Sequence, residues 1–320
     1  MQILHTLTVA PGSIPQRIDV YLSTKLRKFS RNKIQNLIHK KAVLVNHKNI
    51  ESDYKIQSND VIEVFSPYTE FIDNVTPENL PLSVVYEDDA LIVVNKAVGM
   101  PIHKGLGNYK GTLLNALSYY FLHTSNKEIK VEAGTIHRLD RGTSGLLVFA
   151  KNKEAKLYLE NQLKNNLIHR TYFALVWGIV KKEEGTIDIP LGRNSNNPMI
   201  IQAFPLRDEG KQAITHFKVL QRFKFTTLVQ CTIQTGRTHQ IRIHLQSIGH
   251  AILGDKRYPS NFTFKEVRDI LDEGEIIHQL LHARYLAFEH PVTKANCLFE
   301  APVNSDFETV LRKLSERNLY

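Results

Sequence analysis

The chain has 320 residues and is poor in cysteine, with only Cys231 and Cys297. Two cysteines support neither a disulfide framework nor a cysteine zinc site, which excludes proteins built on either device. Low cysteine content is typical of a reducing compartment, and we expect a cytoplasmic protein.

Long hydrophobic runs are also missing. Apolar runs such as ALIVV at 90–94 fall far short of the about 20 residues that a membrane-spanning helix needs. The first residues, MQILHTLTVAPGS, contain no basic region and no long apolar stretch, which predicts no signal peptide. We therefore expect no membrane partner.

Several signatures of catalysis are absent. The sequence has no H-E-x-x-H pattern, and its 14 histidines show no metal-ligand spacing. It contains neither G-x-S-x-G nor G-x-x-x-x-G-K-[ST], and Gly105, Gly107 and Gly111 do not form a dinucleotide-binding fingerprint. Any catalysis would therefore depend on carboxylate and hydroxyl groups, without metal or nucleotide.

Positive charge, in contrast, is abundant. The formal net charge of +9 indicates a polyanionic partner, although a generally basic surface is the alternative. Between positions 25 and 48 there is no acidic residue, and the basic ones are Lys25, Arg27, Lys28, Arg31, Lys33, Lys40, Lys41 and Lys48. A block of one sign across two predicted helices indicates a phosphate-binding surface, the alternative being a solvated face.

A proline-containing stretch separates two predicted units. We expect a small unit at 16–65, a linker at 66–81 and a larger unit at 82–320. In the small unit, Ile18 and Leu22 lie on one helical face, and Ile34 and Leu37 lie on a second. The segments AVLVN and DVIEVF then predict two short strands.

This small unit resembles the RNA-binding domain found in ribosomal small-subunit protein four. The residues that carry the resemblance are Arg17, Asp19, Leu22, SRNKIQNLI and VLVNHK. It implies a small α/β domain that docks on structured RNA with little sequence readout. The family usually has a glycine before the second segment, where this chain has HKKA, so we expect the turn to differ. The basic residues expected to contact RNA are Arg31, Lys33, Lys40 and Lys41.

The larger unit mixes strands and helices without regular alternation. SVVYEDDALIVVNK predicts a β-hairpin, and HRTYFALVWGIV alternates as a strand. RTHQIRIHLQSIG predicts a helix that Thr238 can cap at its start and Gly249 can close at its end. We therefore expect an α+β domain with a mixed, largely antiparallel central sheet.

The segment HRLDRGTSG, at 137–145, carries the main chemical signal. Asp140 lies between Arg138 and Arg141 in a turn just before the apolar strand LLVFAK. A nearby guanidinium keeps a carboxylate ionised where water is excluded, and such an aspartate is a nucleophile or a base. An isolated aspartate in a turn is more often a simple turn former or helix cap. Residue chemistry alone leaves both interpretations open.

Six blocks of the larger unit resemble the RluA-type pseudouridine synthases, in the RluC/RluD-like branch that carries an N-terminal RNA-binding domain. They occur in order from about 82 to 307, and a coincidence of six is implausible. The blocks are VVNKAVGMPIHKGLGNYKGTLLNAL, HRLDRGTSGLLVFAK, RTYFALVWG, GKQAITHFKVL, TGRTHQIRIHLQSIGHAILGDKRY and LLHARYLAFEHPVT.

The resemblance implies the pseudouridine synthase fold and the isomerisation of uridine in RNA. Asp140 would be the catalytic aspartate, which either attacks the anomeric carbon or assists loss of the ribose 2′ proton. The glycosidic bond breaks, the uracil rotates, and its carbon-5 rejoins the sugar. The reaction involves no net redox change and no loss of a group, so we expect no cofactor and no metal.

The resemblance also assigns roles to other residues. Tyr172 would stack on the target base, Arg242 would pair with Asp140, and Arg138 would fill the space left by the flipped uridine. His137 would orient the loop, with a purely structural histidine as the alternative. The turn before the predicted helix would bind an RNA phosphate through Arg237, Thr238 and His239.

The branch with the extra domain points to structured RNA, and specifically to large-subunit ribosomal RNA. The substrate would be naked RNA or an assembling ribosomal subunit, and the enzyme a monomer. Three alternatives stay open: the same chemistry on transfer RNA, an RNA-docking ribosome-assembly protein without catalysis, and a glycosylase that releases uracil.

Overall fold

The computed structural model describes residues 3–26, 29–39, 41–65, 75–103, 110–124, 134–194, 197, 200–206, 209–260, 271 and 276–316. Contacts within the chain divide it into two units, Met1–Asn74 and Val75–Tyr320. Residues 66–74 of the predicted linker lie outside the described residues, and the predicted boundaries stay predictions.

In its described residues, the first unit combines two helices with one small antiparallel sheet. Its helices are α1 (Ile18–Lys25) and α2 (Arg31–His39), and its strands are β1 (Ile3–Thr8), β2 (Val43–Val45), β3 (Lys48–Asn49) and β4 (Val61–Phe65). The strand order is β1-β4-β2-β3. The predicted helical faces are buried in one core that includes Ile18, Leu22, Ile34, Leu37 and Ile38. The expectation of a small α/β unit is confirmed.

The turn that follows α2 contains a lysine in a conformation that favours glycine. Lys41 has a φ of 56°, in the left-handed region. Its N–H donates to the Ile38 carbonyl at 2.8 Å, and the Ala42 N–H donates to the Leu37 carbonyl at 2.9 Å. These two bonds form the Schellman motif that usually ends a helix with glycine. The chain therefore makes a glycine-type turn without the glycine.

Within the described residues, the second unit contains one large sheet, a separate two-stranded sheet formed by its sixth and seventh strands, and four helices. The strands are β5 (Ser83–Glu87), β6 (Leu91–Lys96), β7 (Ser144–Ala150), β8 (His169–Trp177), β9 (Glu184–Asp188), β10 (Leu191–Arg193), β11 (Ile201–Ala203), β12 (Ile214–Arg222), β13 (Thr226–Ile233), β14 (Leu281–Glu289) and β15 (Asn296–Glu300). The helices are α3 (Leu113–Thr124), α4 (Lys153–Lys164), α5 (Gln240–Ser247) and α6 (Ser305–Glu316).

Strand order in the large sheet is β5-β6-β7-β14-β8-β13-β12-β9, with β15 added to β14. Among the described residues, β7–β14 is the one parallel pairing of this sheet, and the other pairings are antiparallel. The predicted hairpin is β5–β6. The expectation of an α+β domain with a mixed, largely antiparallel sheet is confirmed.

Strand β14 positions the predicted site residues, because it lies between β7 and β8. His282 of β14 is paired with Ser144 at the start of β7, and the next residue, Ala283, is paired with Tyr172 of β8. The loop that enters β7 therefore ends beside Tyr172. That loop contains Asp140.

Both faces of β8 pack against hydrophobic clusters. Tyr172 and Val176 belong to one hydrophobic cluster, whereas Leu175 and Trp177 belong to another on the opposite face. The residues that the sequence places alternately on two sides of a strand therefore do point to opposite faces of β8. No helix within the described part of the chain is long and apolar enough to cross a membrane.

Candidate active site

Residues from three separate elements line one open cleft of about 620 Å³. Asp140 comes from the loop before β7, Tyr172 from β8, and Arg242 from α5. Arg138 and His137 line the same cleft. The structure therefore brings together side chains that lie more than 100 positions apart in the sequence.

Arg242 forms an ion pair with Asp140. Its Nη1 lies 2.9 Å from Oδ2 of Asp140. The guanidinium is buried and the carboxylate is 17% exposed, so the carboxylate still faces the cleft. A hydrogen-bonded ion pair of this kind fixes the orientation of the carboxylate.

The arginines that flank Asp140 in the sequence do not pair with it within the described structure. Arg141 donates from Nε to the carbonyl of Gly99 at 2.9 Å, and Arg138 is exposed at the cleft. The idea that sequence neighbours supply the counter-charge is therefore wrong. Side chains of adjacent residues diverge from the backbone, whereas Arg242 approaches across the cleft.

Asp255, which sequence reasoning missed, holds Arg242 from the opposite side. It accepts from Arg242 Nε at 2.6 Å and from Nη2 at 2.9 Å. It also accepts from the backbone N–H groups of Arg257, at 3.0 Å, and Tyr258, at 3.1 Å. Burial lowers the pKa of Arg242, but the hydrogen bonds and charges of Asp255 and Asp140 outweigh burial and raise it above its usual value.

The turn before α5 differs from the prediction. The helix begins at Gln240 after His239, which has a left-handed φ of 58° and makes no side-chain capping bond. Thr238 is exposed and does not cap the helix. Instead, the side chain of Gln240 holds the turn that precedes the helix, because its Oε1 accepts from the Arg237 N–H at 3.0 Å and from the Thr235 hydroxyl at 2.8 Å.

His239 is the titratable ring next to Asp140. Its Nε2 lies 3.9 Å from Oδ1 of Asp140, and its Nδ1 is 2.8 Å from the hydroxyl of Tyr258. Burial lowers the pKa of His239, while the charge of Asp140 raises it. Arg237 and Thr238, the other predicted phosphate-binding residues, are exposed along the cleft.

Tyr172 is buried in its strand and lines the cleft. Burial raises the pKa of its hydroxyl. His137 is also buried, and its Nε2 accepts from the N–H of Val148 at 3.3 Å, which ties the loop to β7. Burial, together with the charge of Arg170, lowers the pKa of His137 to about 3, so the ring is neutral.

Lys96 is a second residue that sequence reasoning missed. It is 1% exposed, and its Nζ donates to the carbonyls of Ala97, Met100 and Arg141 at 2.9, 2.8 and 3.3 Å. Burial lowers its pKa to about 7, while the charge of Asp140 raises it. This lysine links the end of β6 to the loop that carries Asp140.

The basic run of the first unit is partly neutralised. Arg31 donates from Nε to Asp19 Oδ2 at 3.1 Å, and Asp19 is fully buried. Burial raises the pKa of Asp19, but hydrogen bonds from Arg17, Gln35 and Arg31 lower it well below its usual range. Lys41 is exposed, whereas Lys40 and the side chain of Lys33 lie outside the described residues.

Comparison with family models finds two matches in this chain. Residues 90–247 match the model described as RNA pseudouridylate synthase, and residues 16–62 match the S4 domain. The first match contains the loop of Asp140, strand β8 and helix α5.

Several proteins are similar over nearly the full chain. An RNA pseudouridine synthase of Chlorobaculum parvum is 39% identical over 97% of this chain and 97% of its own length. The ribosomal large subunit pseudouridine synthase D of Nitrosomonas europaea is 37% identical over 98% of this chain and 88% of its own. Among solved structures, human RNA pseudouridylate synthase domain containing 1 has a TM-score of 0.56 and 26% identity, over 70% of this chain and 84% of that one.

Proposed function

Because the chain belongs to the RNA pseudouridine synthase family, we propose that it converts specific uridines of large-subunit ribosomal RNA, as a monomer in the cytoplasm. The reaction is an isomerisation, in which uracil leaves the sugar through nitrogen and returns through carbon. The partner is therefore RNA.

Three observations support a ribosomal substrate. The first unit matches an S4 domain, and the chain carries a net charge of +9, which favours a large polyanion. Relatives from Nitrosomonas europaea and Zymomonas mobilis are named ribosomal large subunit pseudouridine synthase D. Transfer RNA is the alternative substrate for the same chemistry.

The catalytic proposal rests on one observation, the arrangement Asp255–Arg242–Asp140. Asp255 is saturated by two guanidinium and two backbone donors. Asp140 receives a single guanidinium bond and faces the cleft, so its second oxygen is available to the sugar. Asp140 is therefore the aspartate that attacks the anomeric carbon or takes the ribose 2′ proton.

The remaining residues hold the detached base and the RNA around it. Tyr172 lines the cleft beside Asp140 and presents a ring on which uracil can stack. Arg138, exposed at the cleft, replaces the flipped uridine in the RNA stack. His137 anchors its loop through Val148. Arg237, Thr238 and His239 bind phosphate groups at the cleft rim. No electrons are transferred and no group is lost, so the reaction needs no cofactor.

The substrate is tested with the wild-type protein and unmodified transcripts of large-subunit ribosomal RNA, small-subunit ribosomal RNA and transfer RNA. Pseudouridine is counted by mass spectrometry of the nucleosides, and free uracil is measured in parallel. We expect product in the large-subunit RNA at a few defined positions. Product in transfer RNA alone would contradict the ribosomal assignment. Binding without product would indicate a docking protein, and free uracil a glycosylase.

A further inference from the structure

Arg170 is a buried cation that lacks a partner within the described structure. It lies on β8 two positions before Tyr172, and it is 7% exposed. Its side chain lines the cleft that contains Asp140. Its buried Nε has no hydrogen-bond partner, and no described carboxylate or carbonyl accepts from Nη1 or Nη2, which are open to the cleft.

Such a state is energetically unfavourable for the protein alone. A buried charge is normally paired and hydrogen-bonded, because its desolvation is otherwise uncompensated. Arg242, in the same cleft, illustrates the usual solution, since two aspartates accept from its guanidinium. Arg170 is buried up to its Nε, and the end of its guanidinium faces the cleft without a protein acceptor, which points to an acceptor that enters the cleft from outside.

Gly236 preserves the space that the Arg170 guanidinium occupies. A Cβ atom at Gly236 would lie 2.9 Å from Nη1 of Arg170, closer than such contacts occur. The guanidinium therefore lies directly against the turn formed by Gly236 and Arg237, on the cleft side. That turn is exposed, so a ligand in the cleft can reach both the turn and the arginine.

We propose that Arg170 binds the phosphodiester group adjacent to the target uridine, an assignment that rests on the proposed function and adds a phosphate subsite to it. Arg170 and Tyr172 project from the same face of β8, about 6.6 Å apart along the strand. A base stacked on Tyr172 therefore places the backbone of its own nucleotide near Arg170. Arg237 and Lys164, both exposed, line the same part of the cleft and can share the phosphate charge.

A phosphate suits this position better than a carbonyl of uracil does. A carbonyl would accept hydrogen bonds but would leave the guanidinium charge uncompensated, whereas a phosphodiester supplies both acceptors and a negative charge. The neighbouring ring of His137 is neutral, since burial and the charge of Arg170 lower its pKa to about 3. No second cation from that ring competes for the phosphate.

The first test measures RNA affinity against salt concentration. Each protein carries Asp140→Asn so that no RNA is converted, and the probe is full-length large-subunit ribosomal RNA. Adding Arg170→Gln should weaken binding about 10- to 100-fold. The slope of log K against log salt should fall by about 0.7 to 0.9, the value for one lost phosphate contact. Arg170→Lys should keep the slope, and Arg312→Gln, an exposed arginine of α6, should change neither quantity.

Thermal unfolding separates this role from a structural one. Because Arg170 is buried without a partner, Arg170→Gln should unfold at the same temperature as wild type or higher. Unchanged affinity and slope in Arg170→Gln would overturn the proposal. A drop in the unfolding temperature that accompanies the loss of binding would overturn it too, because it would show a structural arginine.

The second test removes the charge from the RNA instead. A stem-loop centred on a uridine that the wild type converts carries one neutral methylphosphonate, 5′ or 3′ to that uridine. One of these two substitutions in the RNA should weaken binding to the protein that keeps Arg170. The same substitution should not weaken binding to Arg170→Gln beyond what the loss of the arginine already causes. Equal penalties in both proteins would overturn the proposal. A wild type that makes no pseudouridine would contradict the proposed function, and the salt slopes would still decide the phosphate subsite.

Discussion

At the residue scale, the site is organised by one arginine between two aspartates of unequal exposure. Asp255 is 1% exposed and Asp140 is 17% exposed. The inner carboxylate is saturated with donors, so its role is to position Arg242. The outer carboxylate keeps free lone pairs at the cleft, and for this reason we propose it as the one that reacts.

Replacing the inner carboxylate tests this division of roles. Asp255→Asn should lower kcat about 10- to 100-fold, the cost of one weakened charge-assisted bond. The KM for RNA should change little, since Asp255 is buried beneath the cleft. Single-turnover and steady-state rates on ribosomal RNA measure both quantities. The exposed Asp306→Asn is the matched control, and a rise in KM at constant kcat would contradict the assignment.

Lys96 should make stability depend on pH. Burial lowers its folded-state pKa to about 7 from an ordinary value of 10.5. Between these values the unfolded chain binds more protons than the folded one, so stability rises with pH. Urea unfolding is measured between about pH 7 and pH 8.5. Over this range the free energy of unfolding of wild type should rise by up to about 1.4 kcal/mol per pH unit relative to that of Lys96→Met. Parallel pH curves for the two proteins would refute this.

How far the sequence reveals the site depends on whether the family resemblance assigns a role to a residue. Asp140, Tyr172 and Arg242 receive roles from the resemblance, which thereby places them in one site, whereas Asp255 and Lys96 stand in the same resembling blocks without an assigned role. Asp255 follows a glycine in a turn and looks like any turn-forming aspartate. Lys96 reads as an exposed lysine at a strand end, because its three carbonyl acceptors come from two loops. Both become visible only when the fold brings their partners to them.

At the element scale, periodicity predicts interiors better than ends. The faces of α1 and α2 and the alternation of β8 follow directly from apolar spacing. The start of α5 does not, because His239 adopts a left-handed conformation and the Gln240 side chain holds the preceding turn by accepting from the Arg237 N–H. β1 was not predicted either, since its stability comes from pairing with β4, which lies more than 50 positions away.

The left-handed Lys41 gives a prediction about helix α2. Lys41→Gly should raise the free energy of unfolding of the first unit by about 1 kcal/mol, because glycine adopts this conformation without the Cβ clash. Lys41→Ala, which also removes the charge but keeps the Cβ, should give no such gain. Chemical denaturation of the three proteins measures the difference. Equal stability of the glycine and alanine variants would exclude backbone strain at this turn.

At the scale of the whole molecule, two units with separate hydrophobic cores divide the work. The proposed catalytic residues all belong to the second unit, whereas the unbroken basic run belongs to the first. Affinity for RNA and the rate of chemistry should therefore respond to different sets of substitutions.

Charge removal tests this division. Changing Lys25, Lys41 and Lys48 of the first unit to glutamine should weaken binding to ribosomal RNA and lower the salt slope by about 2 to 3. The single-turnover rate on saturating RNA should stay unchanged. Changing three exposed lysines of the second unit, Lys181, Lys182 and Lys218, removes the same charge and should have less effect on the slope. Equal effects would show that only net charge matters.

The proposed reaction depends most on the single carboxylate of Asp140. Its direct test is a single-turnover reaction of wild type and Asp140→Asn with large-subunit ribosomal RNA, with pseudouridine counted by mass spectrometry and binding measured on the same samples. We predict that the variant binds the RNA with the wild-type salt slope and forms no pseudouridine. Formation of pseudouridine by the variant at the wild-type rate would contradict the account.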